Sequence, residues 1–93
     1  MVEVRFFTTL RDLTQTKRDE VTVSSATTVE DLVALLSKKY GRGFREYVYD
    51  ASGKLKPRLQ YLVNGRSITS LNGYKTRLTN EDAVAIIPPV GGG

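Results

Sequence analysis

The stretch that constrains the fold most runs from Ala83 to Gly93, the last residue of this 93-residue chain. Its first part, Ala83 to Ile87, is apolar and rich in β-branched side chains, and such a run predicts a buried strand. Pro88 and Pro89 follow, and a proline has no backbone N–H to donate to a sheet. We therefore predict that the strand ends at Ile87 and that the two prolines carry a stiff, extended backbone away from the domain.

One apolar residue and three glycines close the sequence: Val90, Gly91, Gly92 and Gly93. Glycine loses the most backbone entropy on ordering and buries no side chain, so these glycines do not serve to stabilise a fold. A backbone without Cβ atoms can instead enter a narrow channel, and the reactive group at its end is the Gly93 carboxylate. We expect a compact domain over residues 1–87 and a flexible tail over residues 88–93 that presents this carboxylate to an enzyme. The alternative is a frayed terminus without a function.

The residue types that the chain lacks exclude several kinds of chemistry. It contains no cysteine and no histidine, which removes disulfides, thiol nucleophiles, thiolate metal sites and the usual general base near neutral pH. We therefore expect a protein that is not itself an enzyme and that binds neither a metal nor a cofactor. No apolar run is long enough to span a membrane, and the first residues do not resemble a signal peptide, so we expect a cytoplasmic protein.

The net charge of +4 and the isoelectric point of about 9.6 raise the question of nucleic-acid binding. The charges from Lys17 to Glu20 have mixed sign, and the one dense basic segment is Lys54 to Arg58. Solvated lysines on a loop explain that segment better than a binding patch, so we do not expect nucleic acid as a partner. A non-enzymatic adaptor that uses the basic surface is kept as an alternative function.

Periodicity predicts two strands and one main helix in the first half of the chain. Apolar and polar residues alternate over residues 2–7 and again over residues 20–23, as in half-buried strands. The helix begins after Thr28, a good N-cap, and ends at Gly41. Its apolar residues recur at intervals of three and four and predict one buried stripe, made of Val29, Leu32, Val33, Leu35, Leu36 and Tyr40.

The second half of the chain predicts the remaining strands. Residues 58–63 form a strand, Asn64–Gly65 is a strong hairpin signal, and residues 66–68 begin the return. Residues 42–57 hold either a short helix or an irregular excursion. A hairpin followed by a crossing helix, with the first and last strands parallel at the centre, is an α+β arrangement with a mixed sheet. We predict the β-grasp, or ubiquitin-like, fold.

With these elements placed, three stretches resemble the MoaD/ThiS family of ubiquitin-like sulfur carriers, and specifically its MoaD branch. Val4 to Leu13 resembles the family's first strand and the element after it, Thr28 to Leu32 its helix start, and Leu78 to Gly93 its close. The Pro-Pro-Val motif before the glycines is the specific feature, although Gly91 stands where the family usually has a residue such as Ala or Thr. Residues 42–57 and 69–77 are longer than in bacterial carriers and in this resemble archaeal small modifier proteins.

The resemblance implies a function and partners. An E1-like enzyme of the MoeB type would use ATP to adenylate the Gly93 carboxylate, and a persulfide donor would convert it to a thiocarboxylate. The sulfur would serve molybdopterin (Mo/W cofactor) biosynthesis, with this chain as the small subunit of a synthase whose large subunit is of the MoaE type. The alternative is a modifier that forms isopeptide bonds with lysines of target proteins, and one chain can combine both functions, including tRNA thiolation.

A partner that receives the tail would need an apolar patch on the sheet near the tail's exit. Strand parity and family precedent together point to Phe7 and Ile87 as partner-binding residues, and Ile68 is a third candidate. Ile87 fits a core position equally well. No metal or cofactor is implied for the chain itself, because ATP and the catalytic groups would belong to the partners.

Overall fold

A computed structural model describes residues 1–89. The strands follow one another along the described chain as predicted, and three α-helices occupy the connections. Two short 3-10 turns lie at Ile68–Ser70 and Gly73–Lys75. The elements are β1 (Val2–Phe6), α1 (Thr9–Thr14), β2 (Arg18–Val21), α2 (Val29–Tyr40), α3 (Arg42–Val48), β3 (Gln60–Val63), β4 (Arg66–Ser67) and β5 (Ala83–Ile87).

The five strands form one mixed sheet in the order β2-β1-β5-β3-β4. β5 lies at its centre, parallel to β1, with Val4 opposite Val84 and Phe6 opposite Ile86. On its other side β5 pairs with β3 in the antiparallel sense. The predicted α+β fold, with the first and last strands parallel at the centre of a mixed sheet, is therefore confirmed.

The long helix α2 covers one face of this sheet. Its N-terminus carries a capping box: the Thr28 hydroxyl accepts a hydrogen bond from the Asp31 N–H at 3.3 Å, and the Asp31 carboxylate accepts one from the Thr28 N–H at 3.1 Å. Four residues of the predicted stripe are buried and Tyr40 is half-buried, but Leu35 is 44% exposed. Leu35 was wrongly assigned to the core, because it lies about 100° around the helix from the buried Leu36.

The ambiguous segment 42–57 begins with a helix. Gly41, with φ of +89°, ends α2 and redirects the chain into α3. α3 buries Phe44, whose ring meets that of Phe6 edge-on at a centroid distance of 6.2 Å. Of the two alternatives left open for this segment, the short helix is therefore correct. No helix within residues 1–89 has both the length and the apolar character needed to cross a membrane.

The second strand begins earlier than predicted, at Arg18 rather than Glu20. β2 is an edge strand whose register with β1 places Val2 opposite Val21 and Arg5 opposite Arg18. Its backbone hydrogen bonds need no apolar side chains, so apolar alternation was a poor guide to its start. The hairpin after β3 is as predicted, since Asn64 and Gly65 both have positive φ values, of 52° and 83°.

Candidate functional site

The central strand β5 leads the chain directly to the surface. Its last paired residue, Ile87, lies opposite Gln60 of β3. Pro88 is buried and Pro89 is exposed, so the backbone reaches solvent within two residues of the strand end. The remaining tail motif, Val90 with the three glycines up to Gly93, lies outside the described residues. The expected roles of Gly91, Gly92 and Gly93 therefore stay predictions.

Beside this exit lies the face of the sheet that is turned away from α2. Residues of β5 alternate, so Ile87 points to this outer face together with Ala83 and Ala85. Leu62 of β3 lies opposite Ala85 and is also half-buried. The outer face therefore carries a narrow apolar strip that ends where the tail leaves.

The structure brings together two of the three residues predicted to bind a partner. Phe7 directly follows Phe6, which pairs with Ile86, so Phe7 and Ile87 both lie at the exit end of the central strands. Both side chains are half-buried, which leaves part of each available for contact. Ile68 is different: it is 5% exposed and belongs to the core, because the chain turns inward after β4. The prediction that Ile68 belongs to a partner-binding patch on the surface is therefore wrong.

A group of cations surrounds Phe7. One shallow cavity of about 240 Å³ is lined by Arg5, Arg11, Lys17 and Arg18 together with Phe6 and Phe7. We call the four cations the exit cluster. The Arg5 Nε donates a hydrogen bond to a Glu3 carboxylate oxygen at 2.6 Å. This hydrogen bond is the largest cause of the lowered pKa of Glu3.

The nearby carboxylate of Asp19 is engaged elsewhere. It accepts hydrogen bonds from Lys39 Nζ at 2.7 Å and from the Tyr40 hydroxyl at 2.6 Å, which tie β2 to the end of α2. Burial alone would raise the pKa of Asp19, but these two hydrogen bonds, a third from the Glu20 N–H and the Lys39 charge together outweigh it, and the pKa is lowered. Burial and the Asp19 carboxylate together raise the pKa of Tyr40.

Cations also lie on the other side of the exit. Lys56 and Arg58, with Tyr47, Pro57, Leu59 and Pro89, line a cavity of about 330 Å³. The Lys56 ammonium lies 6.0 Å from the centroid of the Tyr47 ring, within the range of a cation–π contact. Within residues 1–89, no group of three or more carboxylates is placed to hold a metal ion. The described part of the site therefore offers an exposed exit for the chain at Pro89, apolar contacts and positive charge.

Sequence reasoning missed the exit cluster because it treated Lys17 to Glu20 as one segment of mixed sign. In a strand, successive side chains point to opposite faces, so Arg18 and Asp19 do not share a surface. Arg18 lies opposite Arg5, whereas the carboxylate of Asp19 meets α2. Strand parity over residues 18–21 could have revealed this separation.

A mixed sheet with parallel first and last strands, a crossing helix and a C-terminal segment that leaves from the central strand defines a β-grasp, ubiquitin-like protein. The chain belongs to the ThiS family, whose sequence profile matches residues 4–93. It is thus related to a family of small ubiquitin-like carrier and modifier proteins.

Individual relatives include both kinds of protein. The chain is 36% identical over 92 residues to small archaeal modifier protein 3 of Haloferax volcanii, covering 99% of this chain and 98% of that one. It is 38% identical over 66 residues to a putative sulfur carrier protein of Archaeoglobus fulgidus, covering 71% and 74% of the two chains. The solution structure of small archaeal modifier protein 1 (SAMP1) from Methanosarcina acetivorans superimposes with a TM-score of 0.78 at 31% identity, covering 99% of this chain and 95% of that one.

Proposed function

We propose that this protein is a sulfur carrier whose Gly93 carboxylate is adenylated by an E1-like enzyme and converted to a thiocarboxylate. The observation that carries the proposal is the path of the chain at the end of β5. The central strand is held on both sides, and two prolines later the backbone is at the surface. From Pro88 the tail can extend roughly 20 Å, at about 3.3 Å per residue, which suits a deep active site on another protein.

The chemistry needs only the terminal carboxylate of this chain. A Gly93 oxygen attacks the α-phosphorus of ATP, pyrophosphate leaves, and a mixed acyl-phosphate anhydride forms. The terminal sulfur of a persulfide then attacks the acyl carbon and AMP leaves, which gives an acyl disulfide. A thiol then attacks the sulfur that belongs to the donor's cysteine, so that the S–S bond breaks, a new disulfide forms on that cysteine and the thiocarboxylate leaves. The catalytic groups belong to the partners, which fits a chain without histidine or cysteine.

We further propose that the sulfur is donated in molybdopterin biosynthesis, with this chain as the small subunit of molybdopterin synthase. The Pro-Pro-Val motif before the glycines supports this end use. The half-buried Phe7 and Ile87, at the exit of the tail, would contact both the adenylating enzyme and the large synthase subunit. One docking surface would then serve two successive partners.

The second candidate function is protein modification. The similarity to the Haloferax volcanii modifier favours it. A lysine amine of a target would attack the activated acyl carbon and form an isopeptide bond to Gly93. The two functions share the adenylation step and differ only in the nucleophile that follows.

Intact mass spectrometry tests the carrier function. After incubation with the E1-like enzyme, ATP and a sulfur donor, the mass should rise by the difference between sulfur and oxygen. Deleting Gly92 and Gly93 together should abolish the gain, because it leaves a single glycine after Val90. Deleting one of the three glycines is the control, because it keeps a Gly-Gly end and shortens the tail by only about 3.3 Å, so the gain should persist. An unchanged mass for the wild-type chain, with an enzyme that is active on its own substrate, would contradict the proposal.

A modified peptide would reveal the modifier function. Trypsin cuts last after Arg77, so a natural conjugate would carry the long remnant 78–93. The variant Val90→Arg leaves only Gly91 to Gly93 on the target lysine, which is readily identified. If the chain is a modifier, tryptic peptides from cells that express this variant should contain lysines that carry these three glycines. Their absence, in cells where the variant is still thiocarboxylated, would leave only the carrier function.

A further inference from the structure

The two ends of the outer sheet face carry opposite charge. At the exit end Arg5 lies opposite Arg18, and Arg11 and Lys17 line the same cavity. Two residues further from the exit, Glu3 lies opposite Glu20. Positive charge is therefore concentrated beside the point where the tail leaves the domain.

This arrangement does not stabilise the fold. Like charges directly opposite each other on antiparallel strands repel, and Arg5 and Arg18 form such a pair. Glu3 offsets part of the repulsion, since Arg5 and Arg18 both lower its pKa. Within residues 1–89, no carboxylate forms a salt bridge with Arg11, Lys17 or Arg18. The charges of the exit cluster are thus largely unneutralised by the part of the chain that the structure describes.

We propose that the exit cluster docks on an acidic surface of the adenylating protein, next to the channel that receives the tail. This inference rests on the proposed function. The cluster adjoins the half-buried Phe7, and an apolar centre beside charged residues is typical of protein interfaces. The opposite charge on the partner would orient the carrier with its tail forward and speed their encounter. Nucleic acid is the competing occupant.

The test compares two double charge reversals that carry the same net charge. Arg11→Glu with Arg18→Glu alters the exit cluster. Arg66→Glu with Arg77→Glu is the control: Arg66 lies on β4, the opposite edge of the sheet, and Arg77 pairs with Thr28 at the start of α2. The β2 and β4 edges are four strand spacings apart, about 19 Å, which exceeds the Debye length of about 10 Å at 0.1 M salt.

The readout is ATP–pyrophosphate exchange by the E1-like adenylating enzyme of the same organism, with the carrier as the varied substrate. At about 0.1 M salt the exit-cluster variant should show a KM about tenfold or more above that of the wild type, and the control variant a KM within about twofold. At about 1 M salt, where the Debye length is about 3 Å, the difference should shrink. Circular dichroism and thermal melting verify that both variants are folded.

Three other outcomes would overturn the proposal. Equal KM values for the two variants, with normal exchange by the wild type, would remove the docking role and leave the proposed function intact. No exchange even with the wild type would remove the proposed function and the docking role together. If exchange is unchanged but the exit-cluster variant alone no longer binds a short fluorescein-labelled single-stranded RNA, the occupant is nucleic acid.

Discussion

Replacing Tyr61 by phenylalanine should make this protein more stable. Tyr61 lies on β3 in the core and is only 2% exposed. Among the described residues its hydroxyl has no hydrogen-bond partner. Its ring packs edge-on against Tyr74 at a centroid distance of 5.8 Å, and phenylalanine keeps that contact. The substitution therefore removes a buried, unpaired polar group and little else.

The magnitude follows from the cost of an unpaired hydroxyl. Burying such a group without a partner costs about 1–3 kcal/mol by mutational data. We expect Tyr61→Phe to raise the free energy of unfolding by about 1 kcal/mol, the low end of this range, because the surroundings relax. For a domain of this size that corresponds to a rise in Tm of about 4–8 °C.

The matched comparison is Tyr40→Phe, which removes the same atom from a tyrosine whose hydroxyl is used. The Tyr40 hydroxyl donates to Asp19 at 2.6 Å, and a hydrogen bond to a charged group contributes about 1.5–3 kcal/mol. Tyr40 is partly exposed, so we expect a loss of about 1 kcal/mol. Urea unfolding of the wild type and both variants measures the two changes on one scale. A loss of stability in Tyr61→Phe would refute the reasoning, since it would mean that the hydroxyl has a partner such as a buried water.

Three further predictions concern other parts of the molecule. Thr8 follows Phe7 with φ of +47°, a strained conformation for a β-branched residue, so Thr8→Gly should raise the free energy of unfolding by about 1 kcal/mol in urea titrations. Thr28→Ala should lower it by about 1 kcal/mol through loss of the capping box, in the same assay. In the folded protein the pKa of Asp19 lies below its ordinary value of 3.8, so its contribution is present above that pH and lost as the pH falls through the folded pKa. Asp19→Asn should therefore lower the Tm at neutral pH. It should also reduce the further fall in Tm on acidification below about pH 4, as measured by thermal melting across pH.

Much of the fold could be predicted because its signals are local. Alternation places Val2, Val4 and Phe6 in the core, and Thr28 is a strong start for α2. The apolar run of β5 gave its central position, since a strand with neighbours on both sides has few polar residues. The tail exit and the positions of Phe7 and Ile87 follow from the same strand assignment.

Other features depend on contacts between distant segments and have no local signal. Ile68 has the same apolar character as Ile87, but the turn after β4 directs it into the core. The exit cluster forms only when the register of β2 sets Arg18 opposite Arg5. β2 begins at Arg18, before the apolar residues from which the strand was predicted. The isolation of the Tyr61 hydroxyl depends on every neighbour in the core. Such properties require the assembled structure.

The position of β5 also determines how the protein responds to a pull on its tail. Force applied at Pro89 passes into β5, which is hydrogen-bonded to β1 on one side and to β3 on the other. Both ladders are then loaded in shear, along the strand direction, and many hydrogen bonds must break together instead of unzipping one at a time. The folded domain therefore resists a pull on its tail. A protein machine that pulls on the tail meets its greatest mechanical resistance at β5.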